Sequence, residues 1–245
     1  NDQNLKNLIA INSQQKHDEP QEALEKFLQL LTSISNNCHR NETLFDKIFK
    51  LIEFYEDQIT QTFTNIKIFN IFESNKKLLH FLFKKKIITI DDTICKELLS
   101  KQEPNFTCYR HFFYPEIKNF IGQEKSEFLE KELQENDSNI FENFEEKREE
   151  GENDTFICSL IRKDSIEEFI QYINSNNISL NSNIEPSIFE TNAFLNENKD
   201  ISLIEYASFF GSIQIVKYLI LNKVELKQSL WLYTIHSRNA ELFHL

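Results

Sequence analysis

With glycine only at positions 122, 151 and 211 and four prolines in 245 residues, this chain lacks the residues that tight strand-to-strand turns require. Leu, Ile, Lys and Glu recur instead at helical spacing, so the sequence predicts an all-α fold. A hydrophobic content of 40%, with 23 Phe, is enough to fill a real core. The same scarcity of glycine removes whole classes of chemistry. No phosphate-cradling loop, dinucleotide fingerprint or nucleophile elbow can be written on three isolated glycines, and no catalytic constellation is predicted.

Charge narrows the partners. A formal net charge of -12, from 39 acidic and 27 basic residues, repels a phosphate backbone, so nucleic acid is not expected. The acidic excess concentrates over about 116–154, which reads as a solvated helix or linker, with attraction of a basic partner as the alternative. No stretch approaches the roughly 20 apolar residues that cross a bilayer, and the polar start has no signal-peptide pattern. An intracellular protein is therefore expected, cytoplasmic rather than nuclear. Cys38, Cys95, Cys108 and Cys158 are widely spaced and read as free thiols. Cys108 and His111 form one C-x-x-H half-site with no matching second pair, so neither a metal nor any other cofactor is predicted. His236 and His244 have no nucleophile beside them and read as local hydrogen-bonding groups. Methionine is absent, including at position 1, and 239–245 reads as a helix cut short, so the chain is expected to be part of a longer one.

Along the chain, Glu19-Pro20 opens a helix over about 20–34 carrying Leu24, Phe27, Leu28 and Leu31. Asn41 caps a second, whose stripe of Phe45, Ile48, Phe49, Ile52, Tyr55 and Ile59 predicts nearly four unbroken turns. Ser74-Asn75 divides a helix pair over 66–83, and Asp91-Asp92 starts another helix. The aromatic cluster of Phe106, Tyr109, Phe112, Phe113 and Tyr114 reads as core. Over 116–153 the pattern predicts a long, partly docked helix pair, and Gly151 marks the expected boundary between halves. The predicted organisation is an N-terminal helical domain over 1–114, an acidic connector over 115–153 and helical repeats over 154–245.

Repetition begins after that boundary. The segments 155–173, 202–220 and 229–245 each hold a short helix, a break and a returning helix. Ser202 and Glu205 have capping-box spacing, Leu203, Ala207 and Phe210 follow at helical intervals, and Gly211 supplies the reversal. Ile213, Val216, Leu219 and Ile220 form the returning stripe. Ser165 to Glu168 offers a second possible capping box, with Asp164 where Gly would stand, and Asn239 caps the last helix.

The middle segment resembles an ankyrin repeat without gaps: Ser202 stands at the consensus Thr, Ala207 at the first Ala, Gly211 at the helix-separating Gly, and Val216 and Leu219 among the paired aliphatics. It departs at Leu203, Glu205 and Lys223, where Pro, His and Gly are usual. Taken with 229–241, the string is similar to the uncharacterised domain that precedes ankyrin arrays in large protist families. The resemblance implies a degenerate ankyrin-type α-solenoid behind the N-terminal helices, further ankyrin repeats beyond Leu245, and binding of a protein partner without catalysis. A structural N-terminal cap for a longer array is the alternative. In ankyrin folds the partner meets finger tips and first helices, which maps here to Glu190, Asn192, Asn198, Lys199, Glu225, Lys227 and Trp231, although Trp231 by itself reads as core. The insertion 186–192 is either a binding loop or a strap, with the strap favoured because Ile188 and Phe189 call for burial. Val216, Leu219, Leu242 and Phe243 are expected near a bare end of the stack.

Overall fold

The computed structural model describes residues 20–38, 41–100 and 109–244, and every element named among them is helical. The expected roles of Cys108 and Phe106 lie outside the described residues. The chain divides into two compact units, Asn1–Glu142 with Thr191–Phe194, and Asn143–Glu190 with Leu195–Leu245; the division falls ahead of Gly151.

In the first unit, α1 (Pro20–Asn37) buries Leu24, Leu28 and Leu31 as its spacing requires. It packs on α4 (Asn65–Phe72), where the Thr32 hydroxyl donates to the Ile71 carbonyl at 3.3 Å. The predicted four-turn helix is instead two, α2 (Glu42–Phe54) and α3 (Glu56–Thr62). The break falls at Tyr55 (φ -98°, ψ 10°), whose ring meets Phe27 edge-on at 5.5 Å while Ile59 stays buried. Periodicity survives such a bend, because both helices still bury the same side. Short polar residues set the starts: Asn41 accepts from the Leu44 amide, Asn75 caps α5 (Lys76–Lys84) through Leu78, and Asp91 caps α6 (Asp92–Ser100) through Thr93 and Ile94. Asn65 ties α4 to that last cap by donating to Asp91 at 2.8 Å. Phe112, Phe113 and Tyr114 are buried core, as read from sequence. The acidic stretch is not one long helix pair. It holds α7 (Tyr114–Ile117) and α8 (Gly122–Asn136), and then α9 (Phe144–Glu150) in the second unit.

The second unit is built of helical hairpins: α10 (Phe156–Arg162) with α11 (Ile166–Ser175), α13 (Leu203–Phe210) with α14 (Ile213–Leu221), and α15 (Leu230–Ser237) with a 3-10 turn, Ala240–His244. A short α12 (Ala193–Glu197) lies in the insertion between the first two. Successive first helices pack on one another, α10 on α13 and α13 on α15, and the returning helices α11 and α14 also meet. The reversals repeat: Asp164 (φ 51°), Gly211 (φ 74°) and Arg238 (φ 53°) are all left-handed, and Ser165 and Ser212 each donate their amide back to Leu160 and Ala207. Asn176 and Asn222 likewise bond Tyr172 and Tyr218 carbonyls at 2.9 and 2.8 Å.

Asp164 carries more than a turn. Its carboxylate accepts from the amides of Gln214 (3.1 Å) and Ile215 (3.0 Å), capping α14 from the preceding hairpin. Glycine at 164 relieves the left-handed conformation, worth under about 1 kcal/mol for an Asp that tolerates it, but removes a cap worth about 1–2 kcal/mol. Asp164→Gly is therefore expected to destabilise by about 1 kcal/mol, seen as a lower urea midpoint at unchanged m; a rise in the midpoint would show that backbone strain outweighs the cap.

Candidate partner-binding surface

The seven residues singled out from sequence fall into three environments. Glu190 and Asn192 are buried, which corrects their reading as finger-tip contacts. Asn198 is half-buried, while Lys199, Glu225 and Lys227 are exposed. Trp231 is 60% exposed, so its reading as core is also corrected.

Glu190 has an internal task. The amide of Asn153 donates to the Glu190 carboxylate at 3.2 Å, and its side-chain amide donates to the Glu185 carbonyl at 2.7 Å. The Ser187 hydroxyl reaches Asp154 at 2.7 Å, and the buried Phe189 ring lies edge-on to Phe144 at 5.1 Å. Over 185–190 the insertion thus runs as a strap, the favoured one of its two readings, although of the two apolar residues expected to be buried Phe189 is buried and Ile188 only half-buried. The apolar Phe189 supplies the burial and the polar ends fix its course.

Beneath the strap lies a buried polar group. Arg162 donates through Nη1 to the Asn153 carbonyl (2.7 Å) and the Tyr206 hydroxyl (3.0 Å), and its Nε pairs with Glu152 at 2.5 Å. Burial raises the pKa of Tyr206, and burial also pushes the Cys158 thiol up to about 11, against hydrogen bonds to Thr155 and Tyr206. A thiol held protonated and enclosed is a poor nucleophile, so this group serves α10–α13 packing.

Toward the loop side, the Glu225 amide donates to Asn181 at 2.8 Å and the Lys227 ammonium to the Asp200 carbonyl at 3.1 Å. These bonds gather 181, 200 and 225–227 into one surface, so two of the predicted loop residues do lie together. The capping box is present as read. Glu205 accepts from the Ser202 amide (2.9 Å) and hydroxyl (2.7 Å), and its other oxygen accepts from Ser229 of the next hairpin at 2.6 Å. Ala207, Val216 and Leu219 are buried at the positions expected of repeat core, and Gly211 holds the reversal.

Apart from Trp231, the residue patterns did not single out the outer side of α15. Every residue of α13 is buried, whereas on α15 only Tyr233 and Thr234 are. Trp231, Leu232 (37% exposed) and Ile235 (48% exposed) form an open apolar stripe, with Leu226 and Phe243 also exposed nearby in sequence. Of the four residues expected at a bare end, Val216, Leu219 and Leu242 are buried and Phe243 alone is open. Aligning Ser229 with Ser202 would have found the stripe: Leu232 then falls at Glu205, the residue that grips the next hairpin, and Ile235 at Ser208. Singly exposed apolar residues are ordinary, but a tryptophan and two aliphatics at i, i+1 and i+4 on one helix are a contiguous patch.

Among the described residues no group of His, Cys, Asp and Glu is arranged to hold a metal, and no helix is long and apolar enough to cross a membrane. No family model, curated protein or solved structure matches this chain.

Proposed function

We propose that this chain is a protein-binding module that performs no catalysis, built on degenerate ankyrin-type hairpins stacked as a solenoid. It holds its partner through the open face of α15. The observation that carries the reading is the Trp231, Leu232 and Ile235 stripe, set on a helix whose inner side is fixed by Tyr233 and Thr234 against α13. Exposed tryptophans on rigid elements are the residue type that dominates binding energy at protein interfaces. The gathered loop residues Glu225 and Lys227 flank the stripe in sequence and offer a polar rim.

The test separates binding from folding. Trp231→Ala combined with Ile235→Asp is expected to change stability little, because exposed positions usually shift it by no more than about 0.5 kcal/mol. It should nevertheless remove partners captured with the full-length protein from its own cells and read by mass spectrometry. An unchanged partner set with an unchanged thermal midpoint sinks the reading.

A second reading has its own support. The outward faces of α10 and α13 are each covered by the next first helix, so the face of α15 is also shaped to receive another hairpin. The region is then the cap of a longer ankyrin array with partner binding elsewhere. In that case the double variant keeps its partners and the full-length protein loses solubility instead.

A further inference from the structure

α8 is 15 residues long, yet apolar packing holds it only lightly. Of its described side chains only Leu129 and Leu133 are buried, and Phe128 is left 61% exposed. A helix with so little buried surface sits at the low-stability end of a fold unless polar contacts tie it down.

Those contacts come from one side of the helix. Ser126, Leu129, Glu130 and Leu133 follow at i, i+3, i+4 and i+7, with Glu132 at the edge of the same face. The Tyr114 hydroxyl donates to the Glu130 carboxylate at 2.5 Å and lies 2.8 Å from the Ser126 hydroxyl. Arg110 donates through Nη2 to both oxygens of Glu132, at 3.1 and 2.9 Å. His111 Nε2 stands 3.3 Å from the second of these oxygens. The segment 110–114 therefore grips α8 through Glu130 and Glu132.

His111 is the sensitive member of this grip. Its side chain is 7% exposed. Among the described residues, the charged groups that face it are Arg110 on its own turn and Glu132 from α8. A neutral imidazole donates to Glu132 through Nε2–H and leaves the carboxylate's charge to Arg110. A protonated one sets a second cation beside the guanidinium, out of water, with one carboxylate to serve both. Burial above all holds the imidazole below its ordinary 6.5; the Glu132 hydrogen bond opposes that and the charge of Arg110 adds to it. A depressed folded value means that the released chain takes up the proton first. The grip is therefore complete above pH 6.5 and is lost as pH falls from there through the lower folded value.

We propose that Arg110, His111 and Glu132 form an acid-sensitive latch, which holds α8 in place at neutral pH and releases it when His111 takes up a proton. Release uncovers Leu129 and Leu133, so mild acid exposes an apolar face that neutral pH keeps covered.

The test is amide hydrogen exchange of the full chain between about pH 7.5 and 5.5, with rates corrected for the intrinsic effect of pH. Amides of α8 are expected to lose protection severalfold on acidification. The loss should not exceed about tenfold, the limit for a histidine taken one pH unit below its ordinary value. Amides of α5 should keep their protection. His111→Gln retains a donor where Nε2 stands and cannot titrate, so it should abolish the loss. Arg110→Gln, at a partly exposed position, leaves Glu132 to the imidazolium and should shrink the loss, whatever protection α8 starts from. Should His111→Gln unfold, as loss of α5 protection at neutral pH would show, Arg110→Gln decides by itself. The proposal is overturned if α8 keeps its protection at about pH 5.5, if α5 loses as much, if a folded His111→Gln retains the loss, or if Arg110→Gln leaves it undiminished.

Discussion

Replacing Arg162 with alanine is expected to destabilise the second unit by about 3 kcal/mol, one of the two largest single-residue losses predicted here. The Arg162 side chain is 14% exposed and its guanidinium holds three groups at once. Glu152 is 44% exposed and regains water when Arg162 is removed, so the ion pair itself contributes little. The buried Asn153 carbonyl regains no partner and the buried Tyr206 hydroxyl is left with only the weak Cys158 thiol, and a group so stranded costs about 1–3 kcal/mol. A second substitution separates the causes. Tyr206→Phe in the Arg162→Ala background removes one stranded hydroxyl, and should recover about 1 kcal/mol, whereas Tyr206→Phe alone should destabilise. Urea unfolding of the four proteins measures the coupling. Strict additivity would mean that Arg162 acts by packing on Phe210, whose ring centre lies 6.0 Å from the guanidinium, and not through the hydroxyl.

The loss should also have a place. Residues 185–190 are tied to Asn153, and Asn153 to Arg162, so amides of the strap should exchange faster in Arg162→Ala than those of α14. None of this chain of bonds was visible in the sequence, because Glu190 and Asn153 are far apart along it and neither stands in a recognisable spacing. The expectation that Glu190 lay on a finger tip failed for that reason. Local chemistry was readable: Asn41, Asn75, Asp91 and Ser202 all cap the helices their spacing indicated.

Ser165 shows where local reading stops. Its spacing to Glu168 equals that of Ser202 to Glu205, yet its side chain makes no cap. The backbone explains the difference. Ser202 is extended (ψ 160°), which swings its hydroxyl over the amide of the third helical residue, while Ser165 follows the tight Asp164 reversal and has ψ 76°. Ser212, after the equivalent Gly211 reversal, has ψ 77° and also makes no side-chain cap. It donates to the Ile161 carbonyl of the preceding hairpin instead. Ser212, directly behind a left-handed residue, thus bonds the preceding hairpin, and Ser202, behind a longer connection, caps its own helix. The reading of Trp231 as core failed for a related reason. Helical periodicity shows that a residue shares a face with others, but whether another helix covers that face depends on position in the stack.

Glu205 carries the second large effect. Alanine there is expected to cost about 3 kcal/mol, because the Ser202 amide and the Ser229 hydroxyl lose their acceptor in a buried site and the α13 cap is lost with them. The carboxylate also makes the fold sensitive to acid, and the sign follows from its environment. Burial pushes the Glu205 pKa up, but hydrogen bonds from Ser229 and Ser202 and the charge of Lys227 together outweigh it, leaving the group below its ordinary value of 4.5. A depressed folded pKa means that the unfolded chain takes up the proton first. The stabilisation is therefore complete above that ordinary value and is lost as pH falls through the lower folded one. Glu205→Gln keeps the shape and cannot titrate, so it should be less stable than the parent at neutral pH yet show a shallower loss between about pH 5 and 3. Ser229→Ala weakens the largest hydrogen-bond contribution to the depressed pKa and should move the parent's acid transition toward higher pH. Acid unfolding of the three proteins tests both statements. If Glu205→Gln retains the full acid slope, the sensitivity arises at another carboxylate and the α13–α15 link is held by apolar packing alone.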